Sequence, residues 1–227
     1  MKRSTLIAAS ISLWLLTAVA LQAAEPVARF NSKPGDLKVR IEGTSNVHDW
    51  QVEGKLIGGY IEVGPGFPSE PGQVATAGKV DAKVEAYIPV RSLASIKEDG
   101  KPYSTPMDDI MYEKLLVQAN PKILYHLIEL TLKEAPKAKD APYVFDAKGE
   151  LVVAGVTNKI SMPVNVTPQA DKKIRITGST SVKMTSFNIE PPAPKIAMGL
   201  IKTGDDVKLI FEWTVIQKKA APAPASN

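Results

Sequence analysis

The sequence predicts an all-β fold, seven to nine antiparallel strands interrupted by a single helix, and three observations carry that expectation. Apolar residues recur with a period of two along most of the chain, turn-forming residues punctuate the alternation, and only one segment places apolar residues at helical spacing. The 227 residues are 44% hydrophobic and 23% charged, with 18 Pro and 15 Gly, a composition of ordinary globular proteins with one domain or two small ones. Cysteine is absent, which excludes disulfides, thiolate nucleophiles and Cys-ligated metal sites and leaves stability to an apolar core.

The chain begins with basic Met1-Lys2-Arg3, continues through an apolar run over residues 6–20, and reaches small residues at Leu21-Gln22-Ala23-Ala24 before polar Glu25-Pro26. Residues 1–24 therefore read as a cleavable secretory signal peptide, and a periplasmic location is the expectation. The alternative, an uncleaved anchor, is disfavoured because the run is shorter than the roughly 20 residues that span a bilayer. After cleavage the protein is expected not to be integral to the membrane. With no cysteine behind the run, lipid attachment there is excluded. Removal of Lys2 and Arg3 reduces the net charge from +4 to +2, which is no nucleic-acid signature. At the other end, residues 218–227 form an Ala/Pro tail with nothing to bury and are expected to be disordered. Residues 25–217 are left for the folded domain.

Within that domain, Leu37/Val39/Ile41 open the alternation. Val80, Ala82, Val84, Ala86, Ile88 and Val90 continue it against Asp81, Lys83, Glu85, Tyr87, Pro89 and Arg91, the pattern of a strand with one face on a core and one in water. Ile160/Met162/Val164/Val166, Ile174/Ile176 through Val182/Met184, and Val207/Leu209/Phe211/Trp213/Val215 repeat it. Turn signals stand between at Gly58-Gly59, Gly64-Pro65-Gly66, Gly155-Val156-Thr157-Asn158 and Thr203-Gly204-Asp205-Asp206. The exception is Ser104-Thr105-Pro106-Met107-Asp108-Asp109, a helix start with a hydroxyl cap candidate, proline in the first turn and acids against the dipole. Met107, Ile110, Met111 and Leu115 then make one stripe, and Asn120-Pro121 ends the run. The helix serves either as a plug over an open barrel end or as a mobile lid. Strands in this number fit a sandwich or a closed up-and-down barrel, and closure better removes exposed edges.

Chemistry is sparse. Only His48 and His126 are available. If residues from Asn46 onward form a regular strand, His48, Trp50 and Val52 share one face and Asp49 the other, so a Ser45-His48-Asp49 triad is geometrically poor. His48 reads instead as a hydrogen-bonded packing or pocket residue. His126 shares parity with Leu124, Ile128 and Leu130 and reads as a satisfied core histidine. No ligand-spaced cluster suggests a metal, and no phosphate loop or nucleophile elbow is present. The expectation is a protein that is not an enzyme and requires no cofactor. Tyr125, Phe187, Phe211, Trp50 and Trp213 are the large aromatics, a class that fills cores and also lines apolar pockets.

Several segments in order resemble the YceI-like family of lipid- or polyisoprenoid-binding proteins: Gly43-Thr44-Ser45-Asn46-Val47-His48-Asp49-Trp50, a "TSxxHDW" form; Ile88-Pro89-Val90-Arg91-Ser92-Leu93; Asn120-Pro121-Lys122-Ile123-Leu124-Tyr125; Gly149-Glu150-Leu151 with Gly155-Val156-Thr157-Asn158; and Ser186-Phe187-Asn188-Ile189. The resemblance implies a lipocalin-like antiparallel up-and-down barrel of about eight strands with one short covering helix, located in the periplasm, with no catalytic motif. It also implies that an isoprenoid, whether quinone or polyisoprenoid, or a similar long-chain lipid binds in an apolar tunnel. The lining expected from strand parity and helix stripe comprises Trp50, Val84, Ala86, Ile88, Met107, Met111, Leu115, Tyr125, Leu127, Ile160, Met162, Phe187, Phe211 and Trp213. Residues 104–112 lack the charged, histidine-containing stretch of the commoner family form. The Pro/Gly insert at 64–72 and Pro191-Pro192-Ala193-Pro194 are expected to reshape the tunnel mouth. The competing reading is a packed barrel that binds an envelope protein through its loops and helix. Pairing of two barrels into a homodimer is left open.

Overall fold

The structure, a computed structural model, describes residues 28–138, 141–193 and 201–217. The segment read as a signal peptide, the Ala/Pro tail and Pro194 lie outside the described residues. Eleven strands occur in the order β1 (Ala28–Ser45), β2 (Trp50–Gly54), β3 (Gly58–Val63), β4 (Gly78–Val80), β5 (Ala82–Pro89), β6 (Leu93–Ile96), β7 (Lys122–Glu134), β8 (Tyr143–Val153), β9 (Val156–Gln169), β10 (Lys173–Lys183) and β11 (Thr203–Gln217), with helix α1 (Thr105–Lys114) between β6 and β7.

These strands amount to eight passes of the chain. β2 and β3 are both antiparallel to β1 and run in one direction, so they are a single pass broken over residues 55–57. β4 and β5 both pair with β7 and β6 pairs with β2, a second composite pass broken at Asp81 and at the 3-10 turn Val90–Ser92. The ring runs β1-β3-β5-β7-β8-β9-β10-β11 and closes through β11 with β1, where Ile41 faces Leu209 and Val39 faces Phe211. All pairings are antiparallel, which makes an eight-strand up-and-down barrel. The expected alternation is thus present, but the run over residues 80–90 is not one uninterrupted strand.

The breaks have a consequence at one end. β5 leaves β7 at Pro89, and β6 continues beside β2 alone, so the wall opens between β6 and β7. The chain that spans this gap carries α1. The Gly58-Gly59 and Thr203-Gly204-Asp205-Asp206 turn signals fall inside strand starts rather than in hairpins, because β2 into β3 needs only a kink and Asp205 accepts bonds from the Thr185 backbone N–H (2.9 Å) and hydroxyl (2.7 Å) across the mouth. A true tight hairpin joins β8 to β9. Val153 pairs with Val156 and the two residues between, Ala154 and Gly155, have φ of 51° and 80°, as that turn requires.

The opposite end is closed by the loop over residues 64–77. Phe67 is 2% exposed and stacks on Phe145, 0% exposed, with ring centroids 5.7 Å apart. The Tyr143 hydroxyl donates to the Gln73 carbonyl, and Gln73 Oε1 accepts from the backbone N–H groups of Ser69 (3.0 Å) and Glu70 (3.2 Å). The expectation that this insert shapes the tunnel mouth is therefore corrected. The turn at Gly64-Pro65-Gly66 folds Phe67 back inward, and the loop becomes the floor.

β7 bulges at Ile128, between the pairs Leu127↔Gly149 and Glu129↔Lys148. The bulge shifts parity by one residue, so Ile123, Tyr125 and Leu127 face inward above it and Leu130 and Leu132 below it. Ile128 itself is 57% exposed.

Candidate functional site

The barrel encloses a cavity of about 550 Å³, within the roughly 300–1,000 Å³ range of small-molecule sites. Val39 and Ile41 of β1, Val84, Ala86 and Ile88 of β5, Ile123, Tyr125 and Leu127 of β7, and Leu209, Phe211 and Trp213 of β11 form much of the wall. Phe67 and Leu130 lie at its floor, and Met107, Ile110, Met111 and Leu115 of the helical segment cover the open end with Phe187 and Ile189. All fourteen residues expected to line a tunnel lie on this wall. Val39, Ile123, Ile176 and Leu209 belong with them beyond that set; Ile123 shares parity with Tyr125 and Leu209 with Phe211, whereas β1 and β10 supply none of the fourteen. Phe67 carried a weaker signal, one large apolar residue inside a Pro/Gly loop.

The lumen stays open because large rings lie flat against glycines of the adjacent strand. Trp50 covers Gly43, Tyr125 covers Gly149, and Phe211 covers Gly178. A Cβ on Gly149 would stand 2.5 Å from the Tyr125 hydroxyl, and one on Gly178 would stand 2.7 Å from Phe211 Cζ. Both indole N–H groups are satisfied inside the wall, Trp50 donating to the Thr44 carbonyl (3.1 Å) and Trp213 to Ser32 Oγ (2.8 Å). The rings then present carbon to the lumen.

Helix α1 buries none of its residues fully and is held by a small set of polar bonds to β6. Asp108 Oδ1 accepts from the Ser95 N–H (2.6 Å), Ser95 Oγ exchanges bonds with the Ser104 N–H and carbonyl (3.1 Å each), and the Tyr112 hydroxyl donates to the Leu93 carbonyl (2.7 Å). Ser104 is the N-cap by position, but its hydroxyl makes no capping bond. That correction has a physical reason: Asp108, placed against the helix start, is directed to β6 instead. The helix also ends at Lys114, before Asn120-Pro121, where Leu116 takes a left-handed φ of 51° and turns the chain toward β7.

His48 is a hydrogen-bonded pocket residue as expected, but its backbone is not a strand, and His126 differs from expectation. The strand begins at Trp50 rather than Asn46, so His48 sits in a bend at the mouth, with Nδ1 2.7 Å from the Asp49 carbonyl and Nε2 3.2 Å from the Tyr103 hydroxyl. Ser45 Oγ donates to the His48 backbone carbonyl (2.7 Å) and accepts from the N–H groups of Val47 and His48. The hydroxyl of the Ser45-His48-Asp49 set is thus engaged with backbone, not with an imidazole. His126 is not a core histidine: its side chain is 40% exposed on the outer face and pairs with Glu85. Among the described residues no group of three His, Cys, Asp or Glu is placed to hold a metal ion. Lys114 is the one Lys, Arg, Asp or Glu on the described lumen wall, and it lies 3.8 Å from Glu190.

A closed eight-strand antiparallel barrel with an apolar lumen under a short helix defines a lipocalin-like class of ligand-enclosing barrels. The YceI-like domain model matches residues 66–215, and the chain belongs to that family. The fold is similar to that of a polyisoprenoid binding domain from Saccharophagus degradans implicated in plant cell wall breakdown, at 12% identity over 85% of this chain and 100% of that one, TM-score 0.57. It is also similar to Burkholderia cenocepacia BcnA, at 14% identity over 78% of this chain and 95% of that one, TM-score 0.55. No curated protein sequence is significantly similar to the chain. Among the described residues no helix is long and apolar enough to cross a membrane.

Proposed function

We propose that this protein is a periplasmic lipid-binding protein that sequesters or carries an isoprenoid, a quinone or polyisoprenoid, or a similar long-chain lipid in its barrel lumen. The observation that carries the reading is the enclosed apolar cavity of about 550 Å³ with a nearly uncharged wall. A solvated substrate gains little there, whereas an alkyl or prenyl chain gains about 0.8 kcal/mol per buried methylene. Ten carbons give roughly 8 kcal/mol gross, equivalent to about micromolar binding before ordering costs weaken it. The likeness to a polyisoprenoid binding domain supports the ligand class, and the N-terminal basic, apolar and small-residue pattern supports export. Binding rather than catalysis fits a site whose serine and histidine are engaged with backbone and a tyrosine.

The test is organic extraction of natively purified protein followed by mass spectrometry, against a periplasmic protein of similar size. A stoichiometric isoprenoid or long-chain lipid in the extract is the expected result. An extract that stays empty after incubation with membrane lipids overturns the reading in favour of a protein-binding barrel.

A further inference from the structure

Six large apolar side chains are exposed among the described residues: Val47 (62%), Leu56, Val74, Tyr103 (45%), Leu116 and Ile128. Val47 and Tyr103 also line the lumen, and the other four do not. The apolar wall therefore reaches the outer surface at these two residues. Val47 belongs to the bend between β1 and β2, and Tyr103 to the segment that leads into α1. His48 joins the two segments. Its Nδ1 lies 2.7 Å from the Asp49 carbonyl and so carries the proton, which leaves Nε2 to accept from the Tyr103 hydroxyl at 3.2 Å, with the two rings edge-on.

The two lips of this seam are anchored more firmly than they are joined. The Asn46 N–H donates to the Lys202 carbonyl (3.1 Å), and Asn46 Oδ1 accepts from the Lys202 N–H (2.8 Å), which ties the bend to the chain entering β11. Opposite, the Tyr103 N–H donates to the Ser95 carbonyl (2.9 Å), and Ser104 exchanges bonds with Ser95 Oγ. Farther round the mouth Phe187 and Ile189 are buried, and Asn158 Nδ2 donates to the Ser186 carbonyl (2.6 Å). A seam closed by one neutral hydrogen bond between two fixed lips is where the wall can part. The charges beside it have both signs: Lys101 pairs with Asp99 at 2.8 Å, and Asp49 and Lys202 are exposed.

We propose that this seam is the lipid portal and that its rim docks on a neutral phospholipid bilayer, with Val47 and Tyr103 in the interfacial layer and lipid passing between membrane and lumen without crossing water. The inference rests on the carrier reading and adds the surface on which it operates. Tyrosine beside an aliphatic residue suits a membrane interface, where one end of a side chain is apolar and the other wet. A stable protein–protein interface covers about 800 Å² on each partner, far more than two side chains provide, whereas a bilayer needs only a few shallow anchors. The mixed charges give no net attraction to an anionic surface. In the interfacial layer the Tyr103 hydroxyl exchanges His48 for a headgroup oxygen, which releases the seam.

The chain has no cysteine, so Val47→Cys and Val74→Cys each supply a sole thiol for an environment-sensitive nitrobenzoxadiazole label. Val74 stands exposed in the floor loop at the opposite end of the barrel. With phosphatidylcholine vesicles the label at position 47 is expected to shift to the blue and the label at position 74 to stay unchanged. Transfer of a pyrene-labelled dodecanol from protein to these vesicles is expected to quicken in proportion to vesicle concentration, the mark of collision rather than of release into water. Val47→Glu should lose that proportionality and Val74→Glu should keep it. Both positions are exposed, so both variants should melt with wild type. Shifts at both labels or at neither, or proportionality kept by Val47→Glu, overturn the rim as the docking surface. A shift that requires added phosphatidylglycerol overturns the neutral bilayer. Transfer by wild type at a rate independent of vesicle concentration overturns docking while the carrier reading stands. If wild type takes up no labelled dodecanol, the carrier reading itself fails and the portal falls with it.

Discussion

Phe211 lies against Gly178 across the β10–β11 pair, in direct register, with its ring on the strand backbone rather than across the lumen. The position depends on the missing side chain. A Cβ at residue 178 would meet Phe211 Cζ at 2.7 Å and the Pro163 carbonyl oxygen at 3.1 Å. The phenyl ring is the part that can move, and the open direction is into the cavity. Gly178→Ala is therefore expected to keep the barrel folded while weakening uptake of a long-chain lipid by about 1–2 kcal/mol, on the scale of modest overpacking. Parallel thermal melts and lipid titrations check this. A variant that melts like wild type and binds lipid equally well would show that the ring does not need its recess.

Ile88 and Val84 face the lumen from β5, with Lys83 and Glu85 on its outer face. Replacing either with tryptophan puts an indole into the space a ligand would occupy. Val84→Trp and Ile88→Trp are expected to retain the β-sheet circular dichroism signal and to lose most of the lipid recovered by extraction. Ile88 is the milder site because it is half-buried, whereas Val84 is 9% exposed and sits closer to packed side chains. Retained lipid in both folded variants would move the ligand away from this wall.

The floor should behave as core rather than as binding surface. Phe145 is fully buried and stacked on Phe67, and Phe145→Ala leaves a large void that the closed barrel cannot collapse. The expected loss is about 3–5 kcal/mol of stability, read as a lower denaturation midpoint with little change in its slope.

How far the sequence alone reaches is set by whether a feature is local. The inward face of each pass follows from the pleat, so Val84, Ala86 and Ile88 or Leu209, Phe211 and Trp213 could be grouped from their alternation. The bulge at Ile128 could not, because one extra residue in β7 reverses parity without changing composition, and that reversal is what misplaced His126. The breaks at Asp81 and Val90 were hidden for a similar reason: β4, β5 and β6 continue one alternation even though their partners change. The pairing of rings with Gly43, Gly149 and Gly178 depends on register between strands distant in sequence. Phe67 shows the same limit, since a Pro/Gly loop reads as exposed until the barrel end it covers is known.

Glu129 fastens the bulge from outside. Its carboxylate meets Lys79 of β4 at 2.5 Å and Lys148 of β8 at 2.9 Å, and these two ammonium groups, Lys79 first, lower its pKa from 4.5 to about 2. A carboxylate depressed in the folded state adds stability above its unfolded value and loses it as pH falls through the folded one. The contribution is thus present above pH 4.5 and fades between 4.5 and about 2. Glu129→Gln is expected to flatten the pH dependence of the melting temperature in that acid window. Near neutrality the change should be small because the cluster is exposed and screened by salt. An unchanged acid limb would mean that these lysines do not hold the carboxylate in solution.

Helix α1 is attached to the barrel by polar bonds rather than by a buried face, and Asp108 makes the shortest of them to the Ser95 N–H, at 2.6 Å. Asp108→Ala removes that acceptor and leaves the buried Ser95, 1% exposed, without its backbone partner. The Tyr112 bond to Leu93 and the Ser95–Ser104 pair remain, so the helix should loosen without leaving. Met107, Met111 and Leu115 cover the mouth, and a looser cover raises the rates at which lipid enters and leaves more than it changes the affinity. The expected outcome is faster lipid exchange in stopped-flow transfer to vesicles, together with faster amide hydrogen exchange over residues 105–114 and unchanged exchange in β8 and β9. Faster amide exchange without faster lipid transfer would make the helix a plug, with the ligand passing elsewhere. Tyr112→Phe provides the second measurement: it removes a different bond to the same strand, so a cover hinged on β6 should respond to both substitutions in the same direction.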